Sequence, residues 1–395
     1  MRHSHRRTRL GWRRHRDSRW LNDRRWLHHR CQQRSKRKIR ERRSNCRRTC
    51  TSDQGIAVKA PTVAIVIPAY NRPDELGELL QSALVQTCAP CTVIVCEDHS
   101  PLRAEIRAVC DSYRAAFLTK GIELLYVEND TNLGYDKNLR KSIELSDAEW
   151  AIVMGNDDLL LPNAVQDVIK YTSNNDVDFA SRTFIRFNDS IETTIGTSSL
   201  SKSDSLFTTD NTSSGMIFRS AGFVGGLIVR TSFAKSISCS DFDGSLYYQI
   251  YLAANAYCGK GIGYIATPII GGRADNPPMF GGAEDDGGVH VPGSYTAKGR
   301  ARMWEGVLKI ARSVGDKHQR DLISDIRREL EVRQSFHVFE MNAASSRQEL
   351  RALRSALIQL NLFSHPLPRA LFWLDYLLGR NATPLYRMCR KLLQR

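Results

Sequence analysis

The sequence predicts an α/β fold: a mostly parallel, Rossmann-like sheet flanked by helices, with a helical C-terminal extension. Three observations carry that prediction. Short β-branched apolar runs alternate with amphipathic stretches from Thr62 onward, polar residues gather immediately after several of those runs, and after Tyr295 only helical spacing remains.

The elements follow in order. TVAIVIPAY (Thr62–Tyr70) is an apolar strand stopped by NRP, and Pro73 suits the first turn of a helix over PDELGELLQSAL, where Leu76, Leu79, Leu80 and Ala83 share a face. TVIVCEDHSP holds a second buried strand at Thr92–Cys96, followed by a helix through Ile106–Phe117 and a strand at Ile122–Val127. NLGYDKNLRKSIEL returns to helix, and EWAIVMGNDD is a strand (Trp150–Met154) running into acidic residues. LPNAVQDVIKYT is again helical, and VDFASRTFIRF is a further strand. Strands joined this way form parallel βαβ units, and such sheets bind ligands beyond the carboxyl ends of their strands. Pro68–Asn71, Glu97–Ser100 and Asn156–Asp158 each follow a strand directly, so periodicity alone predicts that they meet at one edge.

The chain has 395 residues, 42% hydrophobic and 25% charged, ample for a sizeable core and unlike a wholly disordered, collagenous or disulfide-scaffold protein. The net charge of +15 resides in the first fifty residues, which hold 18 Arg and 2 Lys against Asp17, Asp23 and Glu41. Everything after residue 50 has a net charge of −2, so the basic balance says nothing about what the folded part binds. Residues 1–58 have too little apolar content to offset their ordering entropy and read as disordered. They are either a polycationic arm for nucleic acid or anionic lipid, with Trp12, Trp20 and Trp26 to stack, or a mis-called start upstream of a true one near Val58. Nucleic acid is expected as a partner only under the first reading. No uninterrupted apolar run reaches the roughly 18–20 residues of a spanning helix, and no secretory h-region is evident. Cys88 and Cys91 form a lone CxxC, expected to be ordinary reduced thiols of a cytoplasmic protein.

The residues at the strand ends define the chemistry. Asp157 and Asp158 offer hard oxygens suited to Mg²⁺ or Mn²⁺ shared with a diphosphate, or else cap the following helix. Asp98 either accepts from a base N–H or closes an Asx-turn, and Lys137 either neutralises phosphate or lies on a solvated helix face. Neither GxxxxGK[ST] nor GxGxxG is present.

IVIPAYNRPDELGELLQSAL, VIVCEDHSP and NLGYDKNLRKSIELSDAEWAIVMGNDDLLLPNAV together resemble a family 2 glycosyltransferase of the GT-A fold over about Thr62–Thr172. GGLIVR and DFDGSLYYQIYLA are similar to its abequosyl- and rhamnosyltransferase-like branch. The resemblance implies a nucleotide-sugar-binding half at 60–190, an acceptor-side half with a Gly-rich loop at 191–294 and a helical region at 295–395. It implies that Pro68, Ala69, Tyr70 and Arg72 line the nucleotide pocket, that Asp98 reads the base and that Ser100 lies near the ribose. Lys137 stands where relatives place an Arg that contacts the nucleotide. Asn156-Asp157-Asp158 occupies the DXD position, with Asp158 as metal ligand and Asp157 beside the nucleotide sugar. The first motif position is Asn rather than Asp, leaving fewer charges for the cation.

By the same resemblance the reaction is inverting. The departing diphosphate needs a cation, Mn²⁺ or Mg²⁺, and a carboxylate takes the proton of the attacking acceptor hydroxyl. Relatives carry an acidic pair for this where the present chain has Tyr251 and Leu252; Asp243, then Asp241, are the nearest substitutes, unless Asp243 caps a helix from Gly244–Ser245.

Gly271–Gly293, with seven Gly and three Pro, reads as a mobile lid or a linker; Arg273 is expected to meet the diphosphate there, and Glu284–Asp286 offer alternative carboxylates. In the C-terminal region RMWEGVLKIARSV and LRALRSALIQL are helical, and residues 368–395 combine Leu371, Phe372, Trp373, Leu374 and Leu377 with basic residues. That end either packs on the sheet or touches the membrane surface.

The predicted function is transfer of a hexose or deoxyhexose from a nucleotide sugar to a glycan or lipid-linked glycan in surface polysaccharide biosynthesis. The expected location is the cytoplasm, peripheral to the cytoplasmic face of the inner membrane. Two rivals remain: a basic-tailed RNA- or lipid-binding protein with an inert Rossmann-like domain, and a nucleotidyltransferase, which would ordinarily carry the Gly-rich phosphate loop absent here.

Overall fold

A computed structural model describes residues 60–274, 276, 279, 283, 290 and 296–393. The expectations for residues 1–58 and for Glu284–Asp286 lie outside that set.

Ten strands form one sheet: β1 (Val63–Ala69), β2 (Thr92–Glu97), β3 (Glu123–Glu128), β4 (Trp150–Val153), β5 (Leu159–Leu160), β6 (Phe179–Phe187), β7 (Thr194–Ser198), β8 (Ser205–Phe207), β9 (Leu227–Arg230) and β10 (Ile262–Arg273). The spatial order is β3-β2-β1-β4-β9-β6-β10-β5, with β7 beside β6 and β8 beside β10. β1 to β4 run parallel, and so do β6 and β10, while β9 is antiparallel between β4 and β6. The helices are α1 (Pro73–Leu84), α2 (Arg103–Thr119), α3 (Tyr135–Glu144), α4 (Ala164–Asn174), α5 (Gly215–Ala221), α6 (Thr231–Ser236), α7 (Tyr248–Cys258), α8 (Ala297–His318), α9 (Ile323–Arg328), α10 (Ser335–Asn342), α11 (Arg347–Gln359), α12 (Pro366–Leu378) and α13 (Thr383–Leu393).

Both faces of the sheet are covered, which is why its strands read as continuous apolar runs rather than alternating ones. Ile65, Ile67, Val93, Val95, Trp150 and Ile152 face Leu76, Leu79 and Leu80 of α1 and Val165 and Val168 of α4. Their neighbours Val66, Ile94, Ala151 and Val153 face the other way, into a cluster with Leu139 and Ile143 of α3. The same cluster contains Trp304, Val307 and Ile310 of α8, Leu350, Leu353 and Leu357 of α11, Phe372 of α12 and Tyr386 of α13. The C-terminal helices thus extend the cluster on that side of the sheet, packing on α5, α7 and one another. Pro73 opens α1 with Asp74 and Glu75 in its first turn, where negative charge meets the positive end of the helix dipole. Ser346 and Glu349 form a capping box that fixes the start of α11.

Two boundaries differ from expectation. The helix after Asp158 starts at Ala164, and Leu159–Leu160 instead pairs antiparallel with β10, so neither Asp157 nor Asp158 caps it. The helix expected from Gly244–Ser245 starts at Tyr248 with Tyr247 as N-cap, which removes the capping reading of Asp243. No helix among the described residues is long and apolar enough to cross a membrane.

Candidate active site

β2, β1 and β4 are neighbours in the sheet, so their carboxyl ends bring Pro68–Arg72, Asp98–Ser100 and Asn156–Asp158 to one edge. The loops are cross-linked by backbone and amide hydrogen bonds. Asp98 N donates to the Ala69 carbonyl at 3.0 Å, and Asn156 Nδ2 donates to the carbonyls of Tyr70 at 3.2 Å and Asn71 at 3.0 Å. Asn156 thus acts as a donor between two loops, a task an aspartate carboxylate lacks the hydrogens for. Asn71 and Arg72 have φ of 54° and 59°, and His99 has φ of 53°. Three non-glycine residues in the left-handed region at one edge mark backbone conformations that the surroundings impose.

Asp157 is ion-paired to Arg72 and accepts from Asn276 Nδ2 at 3.0 Å. Asp158 is 2% exposed; its Oδ1 accepts from the Arg273 backbone N–H at 3.1 Å. Burial, and then the neighbouring Asp157 charge, push its carboxyl well above the usual range. Two glycines make room for it, because a Cβ on Gly225 would stand 2.0 Å, and one on Gly155 2.7 Å, from Asp158 Oδ2. Arg182 lies behind this turn, 3% exposed, its guanidinium 5.1 and 5.2 Å from the Phe184 and Phe223 ring centroids. Burial lowers its pKa to about 9.

Arg273 departs from its expected role on the diphosphate. Its guanidinium donates to the carbonyls of Asp157 at 3.1 Å and Asn188 at 3.2 Å, pairs with Glu78 and lies 4.7 Å from the Phe187 centroid. It buttresses the acidic turn from behind.

Asp98 is 3% exposed and accepts at Oδ1 from Asn129 Nδ2 at 2.7 Å and from Leu133 N at 2.8 Å. Burial raises its pKa against these hydrogen bonds. The turn-closing bonds fall instead to Glu97, which accepts from His99 N at 3.1 Å and Ser100 N at 2.7 Å. Ser100 Oγ is buried without a hydrogen-bond partner among the described residues. Asn129 also donates to Asn138 at 3.0 Å and accepts from Lys141 at 2.6 Å, tying Asp98 to α3. Lys137, on the same helix, is half-buried. Asn129 went unflagged although it follows β3 as directly as the other clusters follow their strands.

On the acceptor side, α3 grips the segment before α7. Asp136 accepts from Leu246 N at 2.7 Å, Tyr248 N at 2.9 Å and Ser245 Oγ at 3.3 Å, and burial raises its pKa to about 7. One turn on, Arg140 pairs with Asp243 at 2.8 Å, and Tyr135 shares a 3.1 Å hydrogen bond with Gln249. Asp243 therefore stands beside the first turns of α3, while Asp241 is exposed. Tyr251 and Leu252 are buried, and the first turn of α7 carries no acidic residue. Asp136 and Arg140 were missed because their roles depend on a loop more than a hundred residues away.

Among the described residues no three His, Cys, Asp or Glu side chains converge on a metal. The Asp157–Asp158 pair fits a cation held jointly with a ligand's own oxygens, since two adjacent carboxylates with one buried gain from a nearby positive charge.

Residues 64–227 match the family described as Glycosyl transferase family 2. This stretch is similar to family 2 glycosyltransferase domains. It contains every strand-end cluster described above. Abequosyltransferase RfbV of Salmonella typhimurium is 26% identical over 103 residues, covering 26% of this chain and 30% of that protein. Poly(ribitol-phosphate) β-N-acetylglucosaminyltransferase TarP of Staphylococcus aureus is 26% identical over 118 residues, 29% and 34% of the two chains. An uncharacterized glycosyltransferase of Methanocaldococcus jannaschii is 27% identical over 120 residues, covering 30% of this chain and 40% of its own length. The matches thus span well under half of these relatives. S. aureus TarS 1–349, solved with UDP-GlcNAc, superposes with a TM-score of 0.52 at 16% identity over 83% of this chain and 92% of that one. The chain has the GT-A fold, with C-terminal helices added to it.

Proposed function

We propose that the chain is an inverting, metal-dependent glycosyltransferase that moves a hexose or deoxyhexose from a nucleotide sugar to a glycan or lipid-linked glycan of surface polysaccharide. The observation that carries this reading is the meeting of Tyr70–Arg72, Asp98–Ser100 and Asn156–Asp158 at the carboxyl edge of a family 2 domain. The nucleotide lies along Pro68, Ala69, Tyr70 and Arg72, with its base at Asp98 and its ribose at the Ser100 hydroxyl. Lys137 and Arg72 supply positive charge towards the diphosphate. Mn²⁺ or Mg²⁺ would be held by Asp158 with Asp157 beside it, stabilising the charge of the diphosphate. Asp243 takes the proton of the acceptor hydroxyl as that oxygen attacks the anomeric carbon opposite the diphosphate. Its ion pair with Arg140 at 2.8 Å holds that carboxylate in one orientation.

The work site in this reading is the cytoplasmic face of a membrane. Supporting it, Trp373, Leu377, Leu378 and Met388 are exposed at 55%, 68%, 42% and 54%, whereas Leu371 and Phe372 pack inward. Arg347 and Arg351 lie over the neighbouring Tyr376 ring, giving an apolar patch with a cationic border suited to anionic lipid.

The deciding experiment is a thermal-shift series with UDP, GDP, CDP and dTDP, each with and without Mn²⁺. A nucleotide at 100 times its Kd adds about 2.7 kcal/mol. One nucleotide stabilising only with metal supports the donor site; silence from all four overturns it.

A further inference from the structure

We propose that the cleft between α8, α9, the end of α11 and residues 241–245 binds a phosphate-bearing sugar or polyol, which makes the acceptor of the proposed reaction a phosphorylated one. The cleft has a volume of about 530 Å³. Four cationic side chains line it: Arg302, Lys309 and Arg312, spaced along one face of α8, and Arg327 from α9.

The accounting of their partners points to an anion. Arg302 faces Glu305 at 3.5 Å. Lys309 Nζ donates to the Asp241 carbonyl at 2.8 Å and lies 5.7 Å from the Phe242 centroid. Arg312 and Arg327 have no hydrogen bond or salt bridge among the described residues, and the Asp321 carboxylate acts on Arg327 only at longer range. Phosphate oxygens match the planar fork of a guanidinium, and two such groups on one wall suit an anion. The same wall also offers the Asp241 carboxylate and the side-chain amides of Gln359 and Asn361, which suit hydroxyl groups rather than a second phosphate. Gly306 lets α8 approach this wall, since a Cβ there would stand 2.7 Å from Ser245 Cβ. The apolar lining is limited to Phe242, Leu308 and Leu360, too little to take up an acyl chain or to stack a base. Phosphate beside hydroxyls is the chemistry that remains.

Asp243 lines the same cleft, so the assignment to the acceptor rests on the reading of Asp243 as base. The test is titration calorimetry of the full chain with glucose 6-phosphate, glucose and inorganic phosphate. It is paired with sedimentation against phosphatidylcholine vesicles with and without phosphatidylinositol, whose head group is a phosphorylated polyol. Glucose 6-phosphate is expected to bind at least tenfold more tightly than glucose or phosphate, and R312Q/R327Q to lose at least tenfold. R312E alone, at an exposed position, is expected to lose most of that binding without disturbing the fold. Binding only to phosphatidylinositol vesicles, lost in R312Q/R327Q, supports the same chemistry with a lipid as its source. Equal affinity in wild type and both variants, or no preference for the phosphorylated sugar in either arm, overturns the proposal. UDP, GDP, CDP and dTDP are titrated with Mn²⁺ into the same samples. Their failure to bind overturns the donor reading alone, and retained nucleotide binding with an unchanged cleft overturns the cleft alone.

Discussion

Gly225 presses its Cα against the carboxylate of Asp158: a Cβ at that position would stand 2.0 Å from Oδ2. The far atom belongs to a buried acid already held by Arg273 N, so the side chain has little freedom to move aside. Gly225→Ala is expected to destabilise the fold by about 1–3 kcal/mol through overpacking. It is also expected to lower transfer by about 10²-fold through displacement of Asp158. Urea denaturation and initial rates check the two effects; a variant with wild-type rate removes Asp158 from the site.

Asn156→Asp replaces a donor with an acceptor facing the carbonyls of Tyr70 and Asn71. The expected loss is about 2–4 kcal/mol, one buried polar mismatch plus like partial charges, with weakened nucleotide binding because the Asn71–Arg72 loop is released. Although a third carboxylate brings the motif nearer to DXD, metal affinity is not expected to rise. Denaturation with and without nucleotide measures both.

Asp243→Asn removes the carboxylate proposed as base while leaving an isosteric side chain beside Arg140. kcat is expected to fall by about 10²–10⁴-fold, with donor KM nearly unchanged. Asp241→Asn, at the exposed neighbour, is expected to fall by less than about threefold on the same scale. Unchanged kcat in Asp243→Asn sinks the assignment.

Asp136 gives a pH dependence whose sign is fixed. Burial raises its carboxyl to about 7 in the folded chain, against 3.8 for the unperturbed group. Between those values the folded state holds the proton and the unfolded state does not, so the contribution is full below the unfolded pKa and is lost as pH rises through about 7. Asp136→Asn is expected to flatten the wild-type stability profile between about pH 4 and 7, by at most roughly 4 kcal/mol across the window. Parallel profiles for the two proteins contradict this.

Trp373→Glu combined with Leu377→Glu tests the exposed α12 patch. Flotation with anionic vesicles is expected to fall at least fivefold while rates on soluble acceptors hold. Equal flotation leaves α12 without a lipid role.

The sheet and the meeting of three strand-end clusters were legible because both rest on local pattern: apolar runs of strand length, helical spacing and polar residues at the stops. Arg273 shows where legibility ended. The sequence reading expects it at the diphosphate, yet its guanidinium is taken by Asp157, Asn188 and Glu78 from three separate segments. Asn156 reads as a weakened metal motif in sequence and proves to be a donor between loops. Asp136 and Arg140 look like ordinary helix-surface charges until the 243–248 segment is folded onto them. Tertiary partners of this kind leave no period in the chain.

Leu357, Phe372 and Tyr386 share one apolar cluster with Val66 and Val153 of the sheet. α3 itself packs on β1 and β2, whereas α8, α9 and α11 join the cluster by packing on α7, α5 and α8 in turn. A chain lacking α11 therefore exposes the apolar face of α8 that α11 covers, rather than the sheet, to chaperones or to its neighbours.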